Sequence, residues 1–246
     1  MRARIVIAVA GCLAAAAAVA EMKHRFEVKA DEFDPAHTHL VQGAWLKGIG
    51  CPTNARTSGV STEDTFTDPA CPTGDPKDNK VEGLLLAKTG PTANFAAAVA
   101  RIDGVKGEKL TDLGWDIRKP GTSLDPRGSH CGAGAPRWNL TVRNPGTGQE
   151  GSFFIGCNSP PPTLQTPGVG YVRMRWGAPL FAVVADATPP CTPSEGQCNI
   201  TGFEIRSLSI VFDEGYDTGP DNFGMAILDN IDVNGVLVGK GPTDAD

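Results

Sequence analysis

Residues 137–157 give the clearest indication of the fold: Arg-Trp-Asn-Leu-Thr-Val-Arg, then Asn-Pro-Gly-Thr-Gly-Gln-Glu-Gly, then Ser-Phe-Phe-Ile-Gly-Cys. In the first seven residues Trp138, Leu140 and Val142 alternate with polar side chains, which is the period of a β-strand with one buried face. The eight residues that follow are rich in Gly and Pro and favour a chain reversal. This stretch therefore predicts a β-hairpin with Cys131 and Cys157 at its outer ends.

Two further segments alternate in the same way. They are residues 113–118, with Leu113, Trp115 and Ile117 in phase, and residues 172–176, with Val172, Met174 and Trp176 in phase. Trp115, Trp138 and Trp176 are therefore predicted to share one core. Other short runs bounded by turn residues predict strands at 38–46, 84–88, 95–102, 180–186, 203–212 and 225–233.

Two details of these strands can be predicted. The Ala-rich run 95–102 is interpreted as a strand rather than a helix, because Gly90-Pro91 precedes it and Asp103-Gly104 follows it closely. A change of apolar phase at Ser207-Leu208 predicts a β-bulge. Many short strands, 30 glycines, 20 prolines and no internal repeat indicate an all-β antiparallel sandwich, with a jelly roll as the expected topology.

The first twenty residues predict export. Arg2 and Arg4 precede an apolar run, 5–19, that ends in Ala18-Val19-Ala20, a pattern typical of a signal peptide of residues 1–20. This run is too short to span a bilayer, so we expect a secreted or extracellular protein with no membrane span. Val9-Ala10-Gly11-Cys12 leaves a lipoprotein alternative open, with Cys12 as the lipidated first residue.

Cysteines and charge narrow the possibilities further. Loss of the leader removes Cys12 and leaves six of the seven cysteines, an even number that in an oxidising compartment favours three disulfides. Their order favours pairing between neighbours: Cys51 with Cys71, Cys131 with Cys157 and Cys191 with Cys198. The sequence contains no CxxC pair, which argues against a zinc site. The net charge of −6 argues against nucleic acid and anionic membranes as partners.

Composition divides the chain after the leader. Residues 21–80 have few apolar runs and predict a loop-rich, disulfide-stapled N-terminal extension. Residues 81–240 contain most of the predicted strands and form the predicted sandwich domain, and residues 241–246 form a C-terminal tail.

The sequence contains no GxSxG, HExxH or GxxxxGK[ST] motif, so it favours a non-catalytic protein. One enzymatic alternative stays open, because a carboxylate pair can come from distant strands. It is an extracellular glycoside hydrolase that would use carboxylates such as Asp213, Glu214 or Asp229.

An acidic, glycine-containing loop joins the last two long predicted strands. Asp213, Asp217 and Asp221 supply hard oxygen ligands, and Gly215 and Gly219 allow backbone carbonyls to turn inward, which suits Ca²⁺. The spacing differs from that of an EF-hand. The sequence therefore predicts a structural Ca²⁺ site, with an ordinary solvated acidic loop as the alternative.

The segment Asp221-Asn-Phe-Gly before Ile227-Leu-Asp-Asn-Ile-Asp-Val233 resembles the closing strands of bacterial extracellular jelly-roll modules of the carbohydrate-binding type. Gly83-Leu-Leu-Leu-Ala-Lys88 and Leu113-Gly-Trp-Asp-Ile-Arg118 are similar to their opening strands. The resemblance covers residues 82–239. It implies a polysaccharide ligand and a structural calcium ion.

Ligand-binding residues are predicted from what the strands leave outside the core. If the strands share a sheet, the outward Arg137, Arg173 and Arg175 offer guanidinium groups that grip carboxylates or sulfates. Tyr171 and Tyr216 are among the aromatics least committed to the core. The first hypothesis is therefore a secreted or cell-surface, non-catalytic binding module for polysaccharide. A structural or envelope-associated protein-interaction domain is the second, and the hydrolase is the third.

Overall fold

A computed structural model describes residues 25–56, 65–89, 96–119, 136–213 and 224–242. The predicted leader, Cys12, Cys131, Glu214, Tyr216, Asp217 and Asp221 lie outside these residues. The described residues form sixteen strands and connecting turns without a helix, as expected for an all-β protein. Accordingly, no helix in this part of the chain could span a membrane.

The strands form a sandwich of two antiparallel sheets. The front sheet has the order β1 (Glu27–Phe33), β6 (Ala97–Asp103), β14 (Glu204–Phe212), β8 (Arg137–Arg143), β9 (Glu150–Gly156), β12 (Phe181–Val184), β13 (Gln197–Asn199). The back sheet has the order β10 (Leu164–Pro167), β11 (Val172–Trp176), β7 (Leu113–Arg118), β15 (Met225–Val233), β5 (Gly83–Lys88), β2 (Val41–Leu46), and β16 (Val236–Val238) pairs with β15. A short ribbon joins β3 (Ala55–Arg56) to β4 (Thr65–Phe66). The chain crosses repeatedly between the sheets, as in a jelly roll.

The predicted hairpin, the strand at the Ala-rich run and an irregularity near Ser207 are all present. β8 and β9 pair antiparallel, with Trp138 opposite Ile155. The Ala-rich segment is strand β6, and the ladder between β14 and β8 shifts register between Ile205 and Ser207, next to the predicted bulge. Local periodicity and turn chemistry were therefore sufficient to place these elements.

Three tryptophans join the two sheets in one core, as predicted. Trp138 comes from the front sheet, and Trp115 and Trp176 come from the back sheet; all three are buried. The Trp115 ring stacks on Trp138 at 5.2 Å between centroids and meets Trp176 edge-on at 5.0 Å. Alternation on both sheets therefore directs the largest apolar side chains into the same layer.

The sandwich begins before the predicted boundary at residue 81. β1 and β2 are the edge strands of the front and back sheets, respectively. β1 has the sequence EVKADEF, in which only Val28 is fully buried. An edge strand that buries so little carries a weak apolar pattern, and the predicted strands did not include it.

Residues 47–56 and 65–82 form the stapled segment, which lies on the outer face of the back sheet. The predicted Cys51–Cys71 disulfide closes it, with 6.2 Å between the Cα atoms. The predicted Cys191–Cys198 disulfide is also present. The third pairing stays a prediction, because Cys131 lies outside the described residues.

Candidate functional site

The three arginines predicted to bind ligand do not share a face. Arg137 lies on β8 of the front sheet, whereas Arg173 and Arg175 lie on β11 of the back sheet. The predicted set is therefore divided between the two opposite outer faces of the sandwich.

On the back sheet, Arg173 is an anchor for the stapled segment. Its guanidinium donates to both carboxylate oxygens of Asp116, at 2.8 and 2.9 Å, and to the backbone oxygen of Thr73 at 2.6 Å. Asn230 Nδ2 donates to the same carboxylate at 2.8 Å. Asp116 is fully buried. Arg173 therefore compensates the buried charge of Asp116 and attaches the stapled segment to the back sheet.

Arg175 is engaged in a similar way. Its Nη1 donates to the backbone oxygens of Trp115 and Met174, both at 2.8 Å, and its Nε pairs with Asp232 at 2.9 Å. Burial lowers the pKa of Arg175, and the charges of Asp116 and Asp232 act in the opposite direction. Arg175 thus neutralises carboxylates of the same sheet.

Tyr171 was expected to be free of the core, and this expectation is wrong. Its side chain is 2% exposed, and its hydroxyl donates to the backbone oxygen of Ile49 in the stapled segment. The backbone N–H groups of Val169, Gly170 and Tyr171 donate to the carboxylate of Asp68, at 3.1, 2.8 and 3.3 Å. Burial raises the pKa of Tyr171. The stapled segment therefore covers this aromatic ring.

The carboxylates proposed for hydrolysis are not brought together in the part of the chain that the structure describes. Asp213 follows β14 of the front sheet, whereas Asp229 lies in β15 of the back sheet. Asp229 accepts the Cys51 N–H at 2.6 Å and its pKa is raised well above the ordinary value by burial. It lies under the stapled segment, on the side of the sandwich opposite the front sheet.

The outer face of the front sheet presents two exposed phenylalanines. Phe154 on β9 is 37% exposed and Phe181 on β12 is 41% exposed. Val183 of β12 lies opposite Phe154, so Phe181 is the diagonal neighbour of Phe154, a relation that spans roughly 7–8 Å in antiparallel sheets. We call this surface, defined by Phe154, Phe181, Arg137, Asn139 and Ser209, the front face.

Arg137 is held rigidly beside these rings. Its guanidinium donates to both carboxylate oxygens of Asp213, at 2.7 and 2.8 Å, and lies 5.8 Å from the centroid of Phe154. Burial alone would raise the pKa of Asp213, but the hydrogen bonds and charge of Arg137 outweigh it, and the pKa lies below its ordinary value. The front face therefore carries a fixed cationic group.

The Arg137–Asp213 pair involves one of the ligands of the predicted calcium site. Both oxygens of Asp213 already accept hydrogen bonds from Arg137, so a calcium ion would compete with that guanidinium for this ligand. Tyr216, Asp217 and Asp221 lie outside the described residues. The one compact group of candidate metal ligands found in the described ranges is Cys51, Cys71 and Asp116. Its two sulfurs form a disulfide and offer no thiolate.

Asn139 occupies the centre of the front face. It lies opposite Phe154 on one side and opposite Ser209 on the other. Its Oδ1 is buried and accepts no hydrogen bond from the described residues. Apolar ring faces, an amide and a hydroxyl on adjacent strands are the groups that bind a ligand with both apolar and hydroxyl surfaces.

Sequence reasoning missed Phe154 and Phe181. A signal for Phe154 was present, since Phe153 and Ile155 are inward and the residue between them must point outward. Phe181 belongs to a four-residue strand with too little alternation to fix its phase.

Comparisons with known proteins returned fold-level similarity. No protein family profile and no curated protein matches the chain. Among solved structures, the chain is similar to a family 11 carbohydrate-binding module from Clostridium thermocellum in complex with a β-1,3-1,4-mixed-linked tetrasaccharide, with a TM-score of 0.38 and 11% identity over 88% of this chain and 93% of that chain. It is also similar to the family 11 module of the cellulosomal cellulase Lic26A-Cel5E of Clostridium thermocellum, with a TM-score of 0.35 and 10% identity over 88% of this chain and 92% of that chain.

Proposed function

We propose that this chain is a secreted, non-catalytic binding module that takes polysaccharide on its front face. The observation that carries the proposal is the pair of exposed rings, Phe154 and Phe181, beside Arg137 and Asn139 on one rigid sheet. Sugar rings have apolar C–H faces that stack on aromatic rings, and hydroxyl groups that bond to amides and guanidinium groups.

The strand positions support recognition of an extended ligand. Phe181, Phe154 and Asn139 lie on three consecutive strands, β12, β9 and β8, so their side chains follow a line across the sheet. Because strands of a packed sheet move little, the two rings would be pre-organised, which lowers the entropy cost of binding. A polysaccharide lying across the strands would contact both rings at once.

The charges of the front face support binding without hydrolysis. Glu150 lies on β9 and Glu204 lies on β14, the two strands that flank β8 in the sheet. Asp213 follows the last residue of β14. Each is paired with an arginine, at 2.7 Å for Glu150–Arg206, 2.9 Å for Glu204–Arg143 and 2.7 Å for Asp213–Arg137. A hydrolytic pair needs one carboxyl group that keeps its proton near neutral pH, whereas the hydrogen bonds and charge of Arg137 hold the pKa of Asp213 below its ordinary value.

The test is binding to a panel of immobilised polysaccharides, neutral and acidic, with Phe154→Ala and Phe181→Ala as the decisive variants. Each lost ring should weaken binding by roughly tenfold, since aromatic contacts contribute about 0.5–1.5 kcal/mol beyond their buried area. The matched control is Phe66→Ala, because Phe66 is also 41% exposed but lies on β4. No reducing ends should appear during incubation. Binding that is unchanged in all three variants, or absent from the wild type, would contradict the proposal.

A further inference from the structure

A cleft of about 660 Å³ lies where the edges of the two sheets meet. It is bordered by β1 of the front sheet, β2 of the back sheet and the C-terminal residues 240–242. Its walls include Lys29, Trp45, Lys47, Lys80, Arg101 and Lys240. The volume is within the range of about 300–1,000 Å³ that is typical of small-ligand sites.

The charge of this cleft is opposite to that of the whole chain. Five of its ten lining residues are basic and one, Glu82, is acidic, in a protein whose formal net charge is −6. Glu82 is already engaged, since its Oε2 accepts the Gly241 N–H at 3.1 Å. A concave surface with one sign of charge concentrates ligands of the opposite sign.

Three of the cations are available to a ligand. Lys29 is paired with Asp103 at 2.9 Å, and Arg101 contacts Asp31 at 3.4 Å. Lys47, Lys80 and Lys240 have no acidic partner within 4 Å among the residues that the structure describes. Their mutual repulsion would be relieved by a bound anion.

Trp45 gives the cleft an aromatic wall of fixed orientation. Its indole N–H donates to the backbone oxygen of Val28 at 2.9 Å, and its partly buried ring packs against the core. Gly241 approaches the ring so closely that a Cβ at this position would lie 3.0 Å from Trp45 Cδ1. The wall therefore combines an aromatic edge with ammonium groups, which suits a ring that carries an anionic substituent.

Two residues of the cleft lie in cross-strand register with the front face. The cross-strand register runs from Phe154 through Asn139 and Ser209 to Arg101 and then Lys29. Adjacent strands are about 4.8 Å apart, so Lys29 lies roughly 19 Å from Phe154 across the sheet. An extended ligand on the phenylalanines would therefore reach the cations of the cleft.

We propose that this cleft binds the oxyanion of an acidic sugar residue, a uronate carboxylate or a sulfate ester, so that the ligand class is acidic polysaccharide. This deepens the proposed polysaccharide-binding function and depends on it. Lysine ammonium groups act as point charges without the two-pronged geometry of arginine, so the cleft requires an oxyanion without selecting its shape.

The test compares two variants that lose equal charge. Lys47→Gln/Lys240→Gln alters the cleft, and Lys106→Gln/Lys109→Gln removes two exposed lysines elsewhere. The probes are polygalacturonate, dextran sulfate and neutral dextran, with affinities measured by calorimetry at two salt concentrations. The cleft variant should bind at least one acidic probe about tenfold more weakly and with a smaller salt dependence, as two exposed charge contacts imply. The control variant should match the wild type.

Two results would overturn the assignment of the cleft. The first is an equal loss of affinity for the acidic probes in both double variants, which would mean that lysines anywhere on the surface attract them. The second is a wild type that binds neither acidic probe. A failure of the proposed front-face site would give a result different from a failure of the cleft. If Phe154→Ala binds every glycan as the wild type does while the cleft variant loses acidic glycans, the cleft stands and the front-face site fails. The acidic probe that binds more tightly identifies carboxylate or sulfate as the preferred group.

Discussion

Arg173 and Asp116 form a two-hydrogen-bond pair on neighbouring strands of the back sheet, with Nε–Oδ1 and Nη2–Oδ2 distances of 2.8 and 2.9 Å. The Asp116 side chain is fully buried, and the Arg173 side chain is 11% exposed. The pair lies beneath the segment that the Cys51–Cys71 disulfide closes, and Thr73 of that segment accepts two further hydrogen bonds from Arg173. These contacts are a structural use of an arginine that sequence alone assigned to ligand binding.

Removing one partner of this pair should destabilise the fold strongly. Asp116→Ala leaves the largely buried Arg173 without its carboxylate partner, and loss of one partner of a buried pair typically costs about 3–5 kcal/mol. The measurement is urea unfolding followed by tryptophan fluorescence. Glu204→Gln is the control, because its pair with Arg143 is partly exposed and should contribute at most about 1 kcal/mol. Similar losses in both variants would contradict a buried role for Asp116.

The two disulfides seen here should differ in their contribution to stability. Cys51 and Cys71 are 20 residues apart, whereas Cys191 and Cys198 are 7 apart. In the chain-entropy model the longer loop contributes about 3 kcal/mol and the shorter about 2.5 kcal/mol. The double serine variant at 51 and 71 should lose more than this, because the hydrogen bonds of the stapled segment weaken with it. Chemical unfolding of both double variants measures the difference, and an equal or reversed order would contradict it.

Cys131–Cys157 should be a third disulfide. Cys131 and Cys157 flank the confirmed hairpin of β8 and β9. Peptide mapping without reductant should find one cross-linked peptide that contains both residues and no free thiol among the six cysteines. A free Cys131, or its pairing with any other cysteine, would contradict this prediction.

Asp229 should make the fold less stable as pH rises. Burial raises its pKa in the folded protein, and the charge of Asp116 adds to that effect. The folded state therefore binds more protons than the unfolded state above about pH 4, so the free energy of unfolding falls as pH rises towards the folded-state pKa. This slope cannot exceed about 1.4 kcal/mol per pH unit for one group.

The variant Asp229→Asn isolates this effect. Its stability relative to the wild type should improve between pH 4 and pH 8, because the amide has no charge to bury. Asp103→Asn serves as the control, since the Asp103 side chain is half exposed. Unfolding curves collected at each pH give the comparison, and a stability difference independent of pH would contradict the prediction.

Calcium should stabilise the native protein if the acidic loop binds it. A ligand present at 100 times its dissociation constant adds about 2.7 kcal/mol to the free energy of unfolding. The melting temperature should therefore rise with calcium, and the rise should disappear in Asp217→Ala and Asp221→Ala. Magnesium should substitute poorly, because it needs a tighter octahedral shell. If the melting temperature changes with neither calcium nor a chelator, the acidic loop is an ordinary solvated turn.

Local sequence determined much of the fold. The alternation in 137–143 and the turn after it placed a hairpin and the inward direction of Trp138, because both depend on residues a few positions apart. The Cys51–Cys71 and Cys191–Cys198 pairings followed from order along the chain for a similar reason. The phase of a strand also fixed that Arg137, Arg173 and Arg175 point away from the core.

The segment that covers each outer face of the sandwich depends on long-range packing. Alternation tells which side of a strand is apolar, but it carries no information about which sheet the strand joins or which distant segment packs on it. Arg173 and Tyr171 point outward as their strands require, and the stapled segment, about 100 residues earlier in the chain, covers them. Phe154 points outward in the same way and stays exposed. Long-range packing, which has no period in the sequence, makes the difference between a buried anchor and a candidate binding residue.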